Sequence, residues 1–288
     1  MAEIEPIDVM HLGRERVICC WRVDDVLIDP GPESSSETLI AALAGFEPRA
    51  LLLTHIHFDH AGAAGALARR WPALEIYVHE AGASHLADPE RLVASARRLY
   101  GADFDRLWGA VVPIPAERLS ILRGGETIHG CVVEATPGHA RHHVCFFHRD
   151  SGRAFVGDTA GVRIPPCDYT LAPTPPPDID LEAWERSLRT IERHAPASLG
   201  LTHFGLVEDV PAQLEALRGW LARWGPEARA LEPGDFERRL REQIAEGCDA
   251  GTAAVFQQAA PAEQLYLGLR RYWDQQAGAA NESFTDRR

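Results

Sequence analysis

The 288-residue sequence is 45% hydrophobic, 25% charged and 8% aromatic, a globular composition that excludes collagen-like, low-complexity and disordered classes. With 29 basic and 42 acidic residues its formal charge is −13, which argues against a broad nucleic-acid-binding face. All the basic residues are arginine, so Schiff-base lysine and P-loop lysine chemistry are ruled out.

The length suits one large domain, or one domain with an appendage. No apolar run approaches the ~18–20 residues of a membrane helix. The start, Met1-Ala-Glu-Ile-Glu-Pro, has neither the basic nor the apolar region of a signal peptide. Cys19, Cys20, Cys131, Cys145, Cys167 and Cys248 are scattered without a Cys-x-x-Cys pair, so they are expected to be buried, reduced thiols of a cytoplasmic protein.

Along the chain, the segments near Arg16–Trp21 and Val26–Asp29 predict strands, closed by the turn Asp29-Pro30-Gly31-Pro32. Ser34–Ser36 offers helix caps before Thr38–Leu43. Ala50–Leu53 reads as a buried strand running into His55-x-His57-x-Asp59-His60, and the helix-favouring stretch 61–70 follows. A second strand-helix unit spans Glu75–Val78, Glu80–Leu86 and Pro89–Tyr100.

Further strands are predicted at Arg118–Leu122, Cys131–Ala135, Val144–His148 and Ala154–Val156. Prolines between Arg163 and Pro177 predict an extended loop. Asp180–His194 is a capped helix and Ser198–Thr202 a strand. From Asp209 the pattern is helical, with breaks expected at Gly225-Pro226, Glu232–Asp235 and Gly247–Thr252, and the small, polar stretch 277–288 is expected to fray. Residues 1–224 are therefore expected to form the main domain and 225–288 a helical extension.

The chemistry concentrates at strand ends. Three imidazoles and a carboxylate fall within six residues, at His55, His57, Asp59 and His60. His139 follows Thr136-Pro137-Gly138, Asp158 follows Phe155-Val156-Gly157, and His203 follows Thr202. Imidazole suits zinc, iron, manganese or cobalt, and the carboxylates compensate the charge of a second cation.

This constellation resembles the metallo-β-lactamase-fold superfamily of metallohydrolases, over Asp29 to His203. The resemblance implies a four-layer αββα sandwich, α/β in class, here with a C-terminal helical extension. It implies that His55, His57 and His139 hold one metal, that Asp59, His60 and His203 hold a second, and that Asp158 bridges them. Asp29 then supports a ligand rather than binding metal. An aspartate at 158, where β-lactamases of this fold can carry cysteine, is similar to glyoxalase-II-type thioesterases and lactonases.

The resemblance implies two divalent metals, zinc first, with iron or manganese compatible with the same ligand set. A bridging water ionised near neutral pH would attack a carbonyl of an ester, thioester or lactone, with Asp59 orienting it as catalytic residue. The alternatives are a metal-dependent phosphodiesterase or nuclease, and a non-catalytic metal-binding regulator. A small-molecule substrate is expected, with no nucleic-acid or membrane partner, and with a homodimer possible through the apolar tail.

Other residues carry weaker signals. His143 sits where the family's Gly-His-x-x-Gly-His segment has a histidine, which implies support of a ligand. Arg163 could reach an anionic substrate group and Tyr169 could donate to a developing oxyanion. His11, His79, His85, His129, His148 and His194 read as ordinary histidines. Tyr100, Phe104 and Trp108, at spacings of four, predict one helix face. The helical tail, rich in Trp220, Trp224, Tyr266, Leu269 and Trp273, either packs on the core or covers the metal cleft.

Overall fold

The structure, a computed structural model, describes residues 3–285, and side chains as far as residue 278. Two six-stranded sheets face each other. The first holds β1 (Ile4–Asp8), β2 (Cys19–Val23), β3 (Val26–Ile28), β4 (Ala50–Leu52), β5 (Glu75–His79) and β6 (Leu119–Leu122), in that spatial order. The second holds β7 (Thr127–Ile128), β8 (Cys131–Ala135), β9 (Val144–His148), β10 (Arg153–Gly157), β11 (Ser198–Leu201) and β12 (Gly205–Val207). Pairing from β3 to β6 is parallel, as is that of β10 with β11; the remaining pairs are antiparallel.

The period of two explains the layering. In β2 to β4, Trp21, Val23, Val26, Ile28 and Leu52 point between the sheets, where they meet Phe146 and Phe155 of the second sheet. The alternate residues Cys20, Leu27 and Leu51 pack outward under helices. Strands covered on both faces must be apolar throughout, as Ala50–Leu52 is. Trp21 and Phe155 meet edge-on at 5.4 Å, in the middle of this interior.

Helices α1 (Ser36–Ala42), α2 (Phe58–Ala61), α3 (Ala64–Arg70), α4 (Glu80–Ala87), α5 (Glu90–Tyr100) and α6 (Phe104–Trp108) belong to the first half. Helix α7 (Leu181–His194) is capped by Asp180, which accepts from Ala183 N–H at 2.9 Å, and buries Trp184, Leu188 and Ile191 at helical spacing. The chain ends in α8 (Val210–Ala230), α9 (Pro233–Gly247), α10 (Ala250–Ala259) and α11 (Ala262–Thr285). The whole is the expected αββα sandwich with a helical extension. Among the described residues, no helix is long and apolar enough to cross a membrane.

Several expectations are corrected. The break at Gly225-Pro226 is absent: α8 passes through it and through the expected domain boundary, because Trp220, Trp224 and Ala228 bury one continuous face. Helices α8 to α11 share their apolar core with the sandwich. Strands β1, β7 and β12 are additions to the sequence reading; all three are edge strands, and β1 carries Pro6, which an edge tolerates. Tyr100, Phe104 and Trp108 lie on two helices, since the chain turns at Gly101–Asp103, yet their rings still meet. Residues 277–285 continue α11, and 286–288 lie outside the described residues.

The cysteine expectation is corrected at one pair. Cys167 and Cys248 form a disulfide, with Cα atoms 5.4 Å apart, which ties the proline-rich loop to the end of α9. The two half-cystines are 81 residues apart in sequence, so no short spacing announces them. Cys19, Cys20, Cys131 and Cys145 are free and buried, as expected.

Candidate metal centre

The site sits where strand ends meet. Strand β4 runs into Thr54 and His55, and α2 opens immediately after His57, so that Asp59 and His60 fall in its single turn. His139 follows β8, Asp158 follows β10, and His203 follows β11. Gly138 permits the approach of His139 to α7: a Cβ there would stand 2.3 Å from the Trp184 Cα, and its φ of +143° disfavours other residues.

All seven expected ligands are brought together. His55 Nε2 and His57 Nδ1 are 3.0 Å apart, and His139 Nε2 lies 3.2 Å and 2.9 Å from them. Across the site, His203 Nε2 is 3.3 Å from Asp59 Oδ2, and His60 Nε2 is 3.9 Å from the same oxygen. Asp158 lies between the two groups, with Oδ2 3.3 Å from His139 Nε2 and Oδ1 3.2 Å from His60 Nε2. One carboxylate oxygen thus faces each half.

The outer hydrogen bonds fix which ring nitrogens are bare. His139 Nδ1 donates to the Pro173 carbonyl at 2.7 Å, and His203 Nδ1 to the Val17 carbonyl at 2.6 Å. His60 Nδ1 donates to Asp29 Oδ2 at 2.7 Å. Thr54 spends its hydroxyl proton on Asp29, so its oxygen accepts from His55 Nδ1 at 3.1 Å. In each neutral ring the proton is outside, and the Nε2 lone pair points inward.

Bare lone pairs at such separations repel one another unless a cation lies among them. The residues fit a metal for a second reason: His60 Nε2 and Asp158 Oδ1, though 3.2 Å apart, are not aligned for a hydrogen bond and are buried with no other partner. The donor set of imidazole and carboxylate is that of zinc, iron or manganese.

Electrostatics divide the site. Burial holds His55 well below the usual imidazole range and pushes His57 down to about 3, with neighbouring histidines acting in the same direction. Burial also disfavours charge on His60 and His203, but the carboxylates around them outweigh it and raise both. Burial opposes ionisation of Asp59 and Asp158, yet His60 and the other imidazoles keep both carboxyls strongly acidic. The second half therefore demands positive charge.

Asp29 and His143 take supporting positions. Asp29 also accepts from Thr54 N–H at 2.8 Å and Thr202 Oγ1 at 3.0 Å, which satisfies a fully buried carboxylate. His143 Nε2 accepts from the Asp158 backbone N–H at 3.2 Å, while Nδ1 meets Thr136 Oγ1 at 2.9 Å. The Pro173 and Val17 carbonyls had no signal in the sequence, and Thr54 and Thr202 had only their place directly before His55 and His203.

A cavity of about 560 Å³ opens over the centre, between α5–α6 and α10–α11. Asp59, His57 and Asp158 form part of its floor, and Gln258, Gln264 and Leu265 come from the helical extension. The tail therefore covers the cleft while also packing on the core. His85 borders the cavity too.

Two substrate expectations are corrected. Arg163 points to another depression and pairs with Asp168 at 2.6 Å. The Tyr169 hydroxyl is spent on Gln243 and on Trp220 Nε1, against Phe256, because α8 to α10 enclose it. Neither borders the cavity over the metal centre.

The fold and centre agree with a family match: the model of the metallo-β-lactamase superfamily matches residues 24–203. The chain belongs to the metallo-β-lactamase superfamily. A metallo-β-lactamase fold-containing protein of Sulfurisphaera tokodaii is 27% identical over 70% of this chain and 76% of its own length. A crystal structure of an archaeal superfamily protein from Sulfolobus tokodaii superposes with a TM-score of 0.72 at 23% identity, covering 94% of this chain and 99% of that one, which bears on the fold. A hydroxyacylglutathione hydrolase of Xanthomonas campestris is 32% identical over 46% of this chain, and that alignment spans only 41% of the relative. A structure of TTHA1623 in a di-iron-bound form superposes with a TM-score of 0.51 at 25% identity, over 77% of this chain and 93% of that one. The hydrolase name belongs to the Xanthomonas campestris relative; what this chain shares with it is the superfamily.

Proposed function

We propose that the protein is a dinuclear metal-dependent hydrolase acting on a small carbonyl substrate, an ester, thioester or lactone. The observation that carries this reading is Asp158, whose two oxygens face His139 on one side and His60 on the other. His55, His57 and His139 would hold one metal, and Asp59, His60 and His203 the other. When bound, such a pair supplies Lewis acidity and a water ionised at neutral pH.

The chain's own groups do the rest. Asp59, the most exposed carboxylate of the centre, borders the cavity and would orient the attacking water by accepting its hydrogen bond at the oxygen turned away from His203. Asp29, Thr54 and the two backbone carbonyls keep the imidazoles in register. The helical extension lines one side of the cavity and would narrow access of bulk water to the reacting carbonyl. Zinc is the first candidate metal, and iron or manganese suits the same donors.

Elemental analysis of the purified protein, with a carbonyl-substrate panel before and after chelation, tests this reading. Two metals per chain and hydrolysis that chelation abolishes and metal restores are expected. One metal per chain with no hydrolysis, or an activity indifferent to chelation, would sink it.

A further inference from the structure

We propose that the cavity selects an amphipathic acyl substrate, in which a medium-length apolar acyl group is joined to a leaving group bearing negative charge. This rests on the hydrolase reading and names the substrate class of that same centre.

The apolar part begins at the metal residues themselves. Phe58 lies between His57 and Asp59 in sequence and borders the same cavity. Its ring is 6.2 Å from Trp108, which is 5.2 Å from Tyr100, so a continuous aromatic wall leads away from the reacting centre. Leu92, Ala96 and Leu99 of α5 extend it. Leu99 is among the few large apolar side chains left exposed, at 38%. Leu265, Ala260 and the proline loop face this wall from the opposite side. Tyr100 donates to Gln264 Oε1 at 3.1 Å, which joins α5 to α11 and bounds the length of the trough.

A small acyl group such as acetyl would leave most of 560 Å³ unfilled. Burying a methylene against such a wall is worth about fourfold in binding.

The mouth has the opposite character. Arg91, Arg141 and Arg271 border it, and all three are exposed. Arg141 is engaged by Asp178 at 3.4 Å, and Arg271 donates to the Pro177 carbonyl at 3.2 Å. Arg91 has no ion pair among the described residues. Outside the metal centre the lining holds these three arginines and one carboxylate, Asp178, a local surplus of positive charge on a chain of net charge −13. The carbonyl belongs at the centre, the acyl chain along the aromatic wall, and the anionic leaving group at the mouth.

The reaction needs no further reagent. Water adds to the acyl carbon, the carbon–sulfur bond of a thioester breaks, and a carboxylate and a thiol are released with one proton.

The test uses the metal-loaded full chain on matched thioesters, from acetyl to octanoyl, with N-acetylcysteamine as neutral and 3-mercaptopropionate as anionic leaving group. Calorimetric binding of octanoate and acetate is measured in parallel. We expect kcat/KM to rise at least tenfold from acetyl to octanoyl. The anionic series should be favoured severalfold, and that preference should vanish in the Arg91→Ala/Arg271→Ala double variant. Ala96→Phe should lower the octanoyl-to-acetyl ratio at least tenfold.

Equal or better turnover of acetyl, or indifference to leaving-group charge, would overturn the proposal while leaving hydrolysis intact. Absence of any turnover, with octanoate still bound much more tightly than acetate, would overturn the hydrolase reading and leave the assignment of the apolar wall standing. Octanoate binding no tighter than acetate would overturn that assignment directly.

Discussion

Asp29 reaches His60 at 2.7 Å although neither lies in the other's secondary-structure element, and this contact sets which way the imidazole faces. With its Nδ1 held outward, His60 turns Nε2 to Asp158. Asp29→Asn removes the charge that fixes this tautomer while keeping the volume. Metal affinity should fall by roughly 10–100-fold, as for other residues that orient metal-binding histidines. Metal titration of the stripped variant against the parent protein reads this, and unchanged affinity would refute the orienting role.

Metal should also report on stability. The stripped protein keeps a cluster of inward lone pairs and buried carboxylates that a cation would satisfy. A ligand at about 100 times its Kd stabilises the native state by ~2.7 kcal/mol. For a chain of this size that corresponds to a rise in Tm of roughly 5–10 °C. Thermal unfolding across a zinc or manganese titration would show it, and a Tm indifferent to metal would speak against a folded, metal-accepting centre.

The Cys167–Cys248 disulfide closes a long loop, so its loss should cost about 2–4 kcal/mol. The paired Cys167→Ser/Cys248→Ser variant should melt earlier accordingly. Thiol titration gives a separate check. Burial pushes the Cys131 and Cys145 thiols up to about 12, and Cys19 and Cys20 are also buried. The native protein should show no reactive thiol, and the unfolded, unreduced protein should show four. Six would mean that the bridge does not form.

Gly268 lets α11 lie directly on the proline loop, where an added Cβ would stand 1.9 Å from the Thr174 carbonyl oxygen. That loop also offers the Pro173 carbonyl to His139. Gly268→Ala should therefore destabilise by about 1–3 kcal/mol through overpacking and weaken metal retention. Gly219→Ala is the control, since its Cβ meets nothing within 4 Å and its helix should gain up to ~1 kcal/mol. Equal effects of the two substitutions would contradict the close approach.

Much of the scaffold was legible because local chemistry carried it. The β4 run Ala50–Leu52 is apolar throughout because both faces are covered, and Asp180 caps α7 through its own side chain. The seven candidate ligands stood out because imidazoles and carboxylates recur immediately after strands. Arg163 and Tyr169 were misread for the converse reason: proximity to Asp158 in sequence says nothing about which side of a loop faces the cavity.

The sequence by itself determined the strand and helix pattern, the ligand chemistry and the superfamily, since each resides in residue types at short spacing. Tertiary structure alone decided the contacts between distant segments: the Val17 and Pro173 carbonyls that orient His203 and His139, the bridge from Cys167 to Cys248, and the seating of α10–α11 over the metal centre. A backbone carbonyl has no sequence signature, and an amphipathic helix shows that it must bury a face without showing against what.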